Sequence, residues 1–489
     1  MPRSSGSLDL VLGQRPGGQP AQRWVYEGVR SAILEGRLRA GTRLPASRDL
    51  ARQHGLARGT VVAAFAQLQA EGYVRSTVGS GTFVGEVPPD ALLGLMRPPP
   101  AASGRGARPI RLSRFGRRVS AFPVLEPRKT RAFRADLPAL ELFPATLWAQ
   151  LTGRVLRRAS TRLFLGCEPL GHWPLRDAVA AHLRSARGAR CEPEQIAIVS
   201  GVQEALDLAA RLLVDPGDRV CLEDPGYGGA ARAFSAVGAR LVPVPVDGEG
   251  LVVDRRRLGG ARLVYTTPAH QYPLGVTMSV ARRLALLRWA RGSGAVLFED
   301  DYDGEYRYQG RPIPALQGLE ADAPVLLAGS FGKVLFPALR LGYLVLPEAL
   351  VERVAALRSA TVRHPPVLDQ AVLAAFIEEG HLARHVRRMR EVYAERRAAL
   401  YEAAERLLGE RLVLSPVEAG LQTTGFLGPG LRAEPVVRAA GEQEVEVTAL
   451  GGEWRGRYRR EGLQLGFAAV PPEEIRRGVE VLARVLDRW

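Results

Sequence analysis

Of the 67 Lys and Arg residues in this 489-residue chain, only Lys129 and Lys333 are lysines. An arginine guanidinium stays protonated and offers no nucleophile. A lysine amine can lose its proton in a suitable pocket and condense with an aldehyde. Lys333 is the better placed of the two, in the small-residue turn Ser330-Phe331-Gly332-Lys333, ahead of Pro337 and Arg340. The lysine count alone also fits a blander reading, in which compositional bias has made nearly every cation an arginine and the two lysines are remnants.

From residue 133 onward, strand-like runs alternate with amphipathic helical patterns. Strands are expected over 195–200, 219–222, 239–246, 262–266, 295–299 and 324–328, and helices over 202–213 and 280–290. Such alternation predicts a mainly parallel sheet covered by helices, closed by an amphipathic helix over 471–489. Asp300 then falls just beyond a strand, where open α/β sheets place ligands. Ser200-Gly201-Val202-Gln203 joins a strand to a helix, and the Val202 and Gln203 N–H groups can hold an anion there.

The front of the chain is different. Net charge is +16, with +6 in residues 1–85, +8 in 86–134 and +2 in the rest. A basic front end on a near-neutral body points to a polyanion partner; a solvated, self-repelling tail is the alternative. Residues 86–132 hold Pro88-Pro89, Pro98-Pro99-Pro100 and Gly104-Arg105-Gly106, and read as a linker with polyproline II stretches. Ahead of it, 18–85 reads as one module. Helices are expected over 22–35, 48–54 (capped by Ser47) and 58–71, with Val61, Phe65 and Leu68 facing inward. A hairpin over 73–77 and 82–84 follows. The three scattered cysteines, Cys167, Cys191 and Cys221, form no metal or disulfide spacing, so no metal is expected. Absence of a signal-like start and of any run of about 18 apolar residues makes a cytoplasmic, membrane-free protein the expectation.

The stretch ILEGRLRAGTRLPASRDLARQHGLARGTVVAAFAQLQAEGYVRSTVGSGTFV resembles the GntR-type winged helix-turn-helix along its whole length, with the GTRLPxSR turn, the RGTV helix start and the GSGTFV wing in order. The resemblance implies a mainly α module with a β-wing that binds double-stranded operator DNA. Arg58 and Thr60, at the start of the third helix, would face bases or flanking phosphates. Arg43, Ser47 and Arg48 would meet phosphate near the second helix. Gly79 and Gly81 would let the wing approach the minor groove.

Beyond residue 133, five segments in order resemble fold-type I aminotransferases: ALELFPATLWAQL, the run from GHWPLRDAV to EDPGYGGA, TTPAHQYPLGVTMSVARR, LFEDDYDGEYRY and GSFGKVLFPALRLGYLVLP. With the front module, the arrangement resembles MocR-type regulators of the GntR superfamily. The fold implied is a winged helix-turn-helix joined to a large α/β fold-type I body, 133–489, that binds pyridoxal 5'-phosphate. Lys333 would form the Schiff base. Asp300 would pair with the pyridine nitrogen, and Tyr302 would bond the phenolic oxygen. Tyr227 would stack on the ring, unless it is an ordinary loop aromatic. Val202, Gln203, Ser330 and Arg340 would hold the phosphate. His270 is either aimed at the pocket or packed as a loop histidine. Asp301 and Asp303 read as supporting or solvated.

One departure stands out. Many related aminotransferases bind the substrate carboxylate with the arginine of an R-L-x-F stretch, and this chain has Gln464-Leu465-Gly466-Phe467. Arg455, Arg457, Arg459 or Arg460 could substitute. The leading expectation is a regulator whose operator binding is controlled at Lys333, by the cofactor itself or by an amino compound acting as small-molecule effector. The alternatives are an active aminotransferase with an appended DNA-binding module, and a sensor of the vitamin alone. The resemblance also implies a domain-swapped, head-to-tail homodimer.

Overall fold

Apolar residues at helical spacing form the elements of the front module. The computed structural model describes residues 10–77, 80–86, 110–121, 129–308, 313–320, 322–456 and 460–488, in two units divided at Ile110 and Arg111. In the first, α1 (Ala21–Leu34), α2 (Ser47–Gln53) and α3 (Arg58–Ala70) precede the antiparallel pair β1 (Val74–Thr77) and β2 (Gly81–Val84). Val25, Val29, Leu50, Val61, Phe65 and Leu68 meet in one core. Gly36 and Gly72 follow α1 and α3 with φ of 75° and 82°, a backbone region that costs glycine little. Ser47 does not cap α2. It is the first helical residue, Ala46 holds the cap position, and no side-chain cap bond forms.

The second unit is built on an eight-stranded mixed sheet. In chain order its strands are β3 (Ile196–Val199), β4 (Arg219–Asp224), β5 (Arg240–Asp247), β6 (Gly250–Leu251), β7 (Ala261–Thr266), β8 (Val296–Asp301), β9 (Val325–Ser330) and β10 (Gly342–Val345), arranged β3-β10-β9-β8-β7-β4-β5-β6. The β9-β8-β7-β4-β5 run is parallel. β10 lies antiparallel to both β9 and β3, and β6 antiparallel to β5. β8 reaches Asp301, so Asp300 is the penultimate residue of its strand and not a residue beyond it. Helices Trp173–Arg187, Val202–Leu213 and Gly228–Val237 bury their apolar faces on this sheet or beside it.

A smaller antiparallel sheet follows, of β11 (Leu412–Leu414), β12 (Gln422–Leu427), β13 (Thr448–Ala449) and β14 (Gly462–Gly466), ordered β11-β12-β14-β13. The closing helix, Pro472–Leu486, packs on the 27-residue helix His381–Leu407. Within the expected linker, Arg114–Arg118 forms a short helix whose Ser113 Oγ accepts from Gly116 N at 2.9 Å. No helix among the described residues is long and apolar enough to cross a membrane. Cys167, Cys191 and Cys221 are unpaired, and no metal-ligating cluster occurs among the described residues.

Candidate functional site

Parallel strands bring their C-terminal ends to one edge, and most of the expected site residues gather there. Asp300 is 4% exposed. Its Oδ2 accepts from the Tyr265 hydroxyl at 2.7 Å, while Oδ1 is buried with no partner among the described residues. Burial pushes this carboxyl up to about 7, opposed by the Tyr265 bond and by the charge of Lys333. A buried carboxylate with an idle oxygen fits a protonated ring nitrogen, which would satisfy both its charge and its lone pair.

Lys333 follows β9 by three residues. Its Nζ donates to the Asp136 carbonyl at 3.0 Å and lies 2.7 Å from Asp136 Oδ1. Asp136 itself adopts φ of 64°, and its N–H donates to Gln422 Oε1 at 2.9 Å. Ser330 ends β9, and its Oγ accepts from Gly332 N at 3.1 Å. Val202 begins its helix after Gly201, whose φ is 108°. The Val202 and Gln203 N–H groups have no preceding turn to accept them. The Arg340 guanidinium lies against Gly201: a Cβ there would sit 3.6 Å from Nη2. Ser330, Arg340 and the helix start therefore form one donor-rich cradle suited to a phosphate, with the first-turn carboxylate of Glu204 accepting from Ser200 N.

The Tyr227 ring stacks at 6.5 Å on Tyr265 and packs edge-on to Tyr272 at 5.7 Å. Gly229 leaves room for that ring, since a Cβ at 229 would overlap it. Asp224 anchors the loop by accepting from Arg455 N at 2.7 Å and Gly456 N at 2.9 Å. Tyr227 thus belongs to a built wall and not to a loose loop.

His270 is 2% exposed. Its Nδ1 lies 3.0 Å from both Asp303 Oδ2 and the Tyr302 hydroxyl. With the Nδ1 proton shared toward Asp303, Tyr302 is left with its own hydroxyl proton free to donate forward. His270 accordingly sits behind Tyr302. The solvated reading of Asp301 and Asp303 fails, because both are buried. Arg187 Nε donates to Asp301 Oδ2 at 2.6 Å. Gln271 is turned inward, giving its amide protons to Glu223 Oε2, Pro225 O and Tyr272 O.

Sequence reading missed Tyr265, Asp136, Arg187 and Gln422. Tyr265 sits at the end of a strand whose polarity change, Tyr265-Thr266-Thr267, was a usable signal. The others lie 114 to 286 positions from their partners, and no local pattern marks them.

Gln464 is 2% exposed and occupies β14. Among its proposed substitutes, Arg455 spends Nη1 on Gly226 O and Glu453 O. Arg460 lies over the Phe426 ring at 3.8 Å. Arg457 and Arg459 fall outside the described residues.

In the front unit, Arg58 opens α3 and is exposed, with Thr60 half-buried two residues on. Arg43 bridges to Phe83 of the wing, and its guanidinium packs under Gly81, whose φ is 110°. Arg48 is exposed with Nε 3.9 Å from Asp49, and Ser47 is half-buried. Gly79 lies outside the described residues.

Comparison with known proteins agrees with both halves. Residues 21–84 match the model of the gntR family of bacterial regulatory proteins, and 144–482 match aminotransferase class I and II. The chain is 40% identical over 474 residues to the probable rhizopine catabolism regulatory protein MocR of Rhizobium meliloti, covering 97% of this chain and 95% of that one. It is 32% identical to the pyridoxine biosynthesis regulator PdxR of Corynebacterium glutamicum, covering 95% and 94%. Among solved structures it is similar to the α-aminoadipate aminotransferase LysN of Thermus thermophilus, complexed with N-(5'-phosphopyridoxyl)-L-leucine. That match has a TM-score of 0.67 at 32% identity and covers 73% of this chain and 92% of that one. The chain belongs to the MocR-type regulators of the GntR family, which join a winged helix-turn-helix to a fold-type I aminotransferase body.

Proposed function

We propose that this protein is a transcriptional regulator whose grip on operator DNA responds to pyridoxal 5'-phosphate held at Lys333, or to an amino compound that reacts there. The observation that carries the reading is Asp300, a buried strand-end carboxylate with an idle oxygen, set in the same site as Lys333 and a donor-rich phosphate cradle.

Bound in this site, the cofactor supplies an aldehyde for an amine and a protonated ring that withdraws electrons. The protein's own residues would do the rest. Asp300 holds the ring nitrogen's proton, and Tyr265 holds Asp300. Tyr302 donates to the phenolic oxygen, with His270 and Asp303 behind it. Val202, Gln203, Ser330 and Arg340 bind the phosphate. Tyr227 covers one ring face and keeps water off it.

Arg58 and Thr60 present the start of α3 to the major groove, with the wing beside it. A ligand changes DNA affinity only through its differential affinity for two arrangements of the protein. A domain-swapped homodimer would offer two reading heads to two half-sites. The other reading, a working aminotransferase with an appended DNA module, needs an anchor for a substrate carboxylate, and Gln464 supplies no charge.

Borohydride reduction of the cofactor-saturated protein, followed by peptide mapping, should place a phosphopyridoxyl group on Lys333. An unlabelled Lys333 peptide would end this reading. Operator affinity measured with and without cofactor should differ.

A further inference from the structure

One group beside the phosphate cradle has the wrong sign for it. Glu204 lies in the first turn of the helix Val202–Leu213, whose leading N–H groups face the cradle. Its Oε2 accepts from Ser200 N, which fixes the carboxylate beside the turn. A carboxylate in that place suits the helix dipole by itself, and it repels a phosphate drawn to the same N–H groups.

Arg358 answers that charge from the helix Glu348–Thr361, with its side chain 1% exposed. Its Nη2 lies 3.3 Å from Glu204 Oε1, and its Nη1 donates to Ile198 O. Ile198 belongs to β3, the edge strand that runs into Ser200 and Gly201. Ile198 N donates to Leu170 O at 2.8 Å. The residue before the turn and the residue after it are therefore tied to one guanidinium. Arg358 Nε and Nη2 are buried without a hydrogen-bond partner among the described residues, so its hold on Glu204 is that of charge. Burial disfavours the Arg358 charge, and Glu204 favours it. The two arginines near the turn differ in task. Arg340 lies against Gly201 in the cradle itself, whereas Arg358 is directed to Ile198 and Glu204.

We propose that Arg358 is a positioning residue for the cofactor's phosphate, which neutralises Glu204 and fixes the turn so that the Val202 and Gln203 N–H groups serve the phosphate. The Glu204–Arg358 pair thereby sets the preference for the phosphorylated form of the vitamin over the unphosphorylated form. This rests on the cofactor reading above, and no covalent step is involved.

The test titrates the full-length, cofactor-free protein with pyridoxal 5'-phosphate and, separately, with pyridoxal, which lacks only the phosphate. The readout is the visible absorption band formed at Lys333. Arg358→Met leaves Glu204 unneutralised and should weaken pyridoxal phosphate at least about tenfold, with pyridoxal changed by less than about threefold. Glu204→Gln keeps an acceptor for Ser200 N and should strengthen pyridoxal phosphate at least about threefold. Arg358→Met with Glu204→Gln should return it to within about threefold of the native protein. Equal losses for the two forms in Arg358→Met would make Arg358 a packing residue and overturn the inference, as would a double variant as weak as the single one. Should Arg358→Met fail to fold, Glu204→Gln decides alone, and an unchanged preference for the phosphorylated form overturns the inference while the cofactor reading stands. A native protein that forms no band with pyridoxal phosphate overturns both.

Discussion

The Tyr265 hydroxyl and the Asp300 carboxylate are joined by a 2.7 Å hydrogen bond between adjacent parallel strands, and the second Asp300 oxygen is buried with no partner among the described residues. That single donor holds the carboxylate in the orientation a ring nitrogen needs. Tyr265→Phe should therefore weaken cofactor binding by about 1.5–3 kcal/mol, the size of one hydrogen bond to a charged group. Equilibrium titration by absorbance measures it, and unchanged affinity would assign Tyr265 to packing alone.

Asp300 also gives the cofactor-free protein a pH dependence. Its folded value is raised from the usual 3.8 to about 7. Between those values the folded chain binds more protons than the unfolded one, so stability falls as pH rises through this window and levels off above about 7. Asp300→Asn should flatten that slope and stabilise the cofactor-free protein at pH 8 by up to about 4 kcal/mol. It should abolish tight cofactor binding as well. Urea unfolding at several pH values checks the first claim and absorbance the second.

Arg187 and Asp301 make a buried pair at 2.6 Å, with side chains 6% and 1% exposed. Removing one partner strands the other's charge. Arg187→Ala should cost about 3–5 kcal/mol, and Arg187→Met with Asp301→Leu should recover much of the loss. Chemical denaturation decides between these outcomes and a double variant as unstable as the single one.

Gly420 has φ of 87°, and a Cβ there would overlap the His270 ring. Gly420→Ala should destabilise by about 1–3 kcal/mol. By moving His270 it should also perturb the Tyr302 hydroxyl and with it the cofactor's absorption band. A stable variant with an unaltered spectrum would separate His270 from the site.

In the front module, Arg58→Ala should weaken operator binding by about 1–3 kcal/mol if the residue contacts a base. Native affinity should fall steeply with added salt. Fluorescence anisotropy across a salt series tests both; a flat response would count against phosphate contacts.

Much of this architecture was legible in the chain. Periodic apolar residues marked helices Val202–Leu213 and Val280–Ser293 and all three helices of the front module to within a few positions. These are local patterns, decided by which side chains one helix or strand can bury on one face. Lys333 stood out by chemistry, as one of two lysines among arginines. Asp300 was legible from its place near a strand end, although the strand runs two residues further than expected.

What tertiary structure alone decided is which distant residues meet. The antiparallel insertion of β10 between β3 and β9 brings Gly342 against Gly201 and sets Arg340 over the helix start at Val202. The small sheet carries Gln422 to Asp136 across 286 positions, and Asp136 reaches Lys333 across 197. Local propensity specifies an element but not its neighbour in the sheet. Strand order is set by the burial of whole faces and the closure of the chain between them, so residues far apart in sequence are assigned to each other only when the complete core forms.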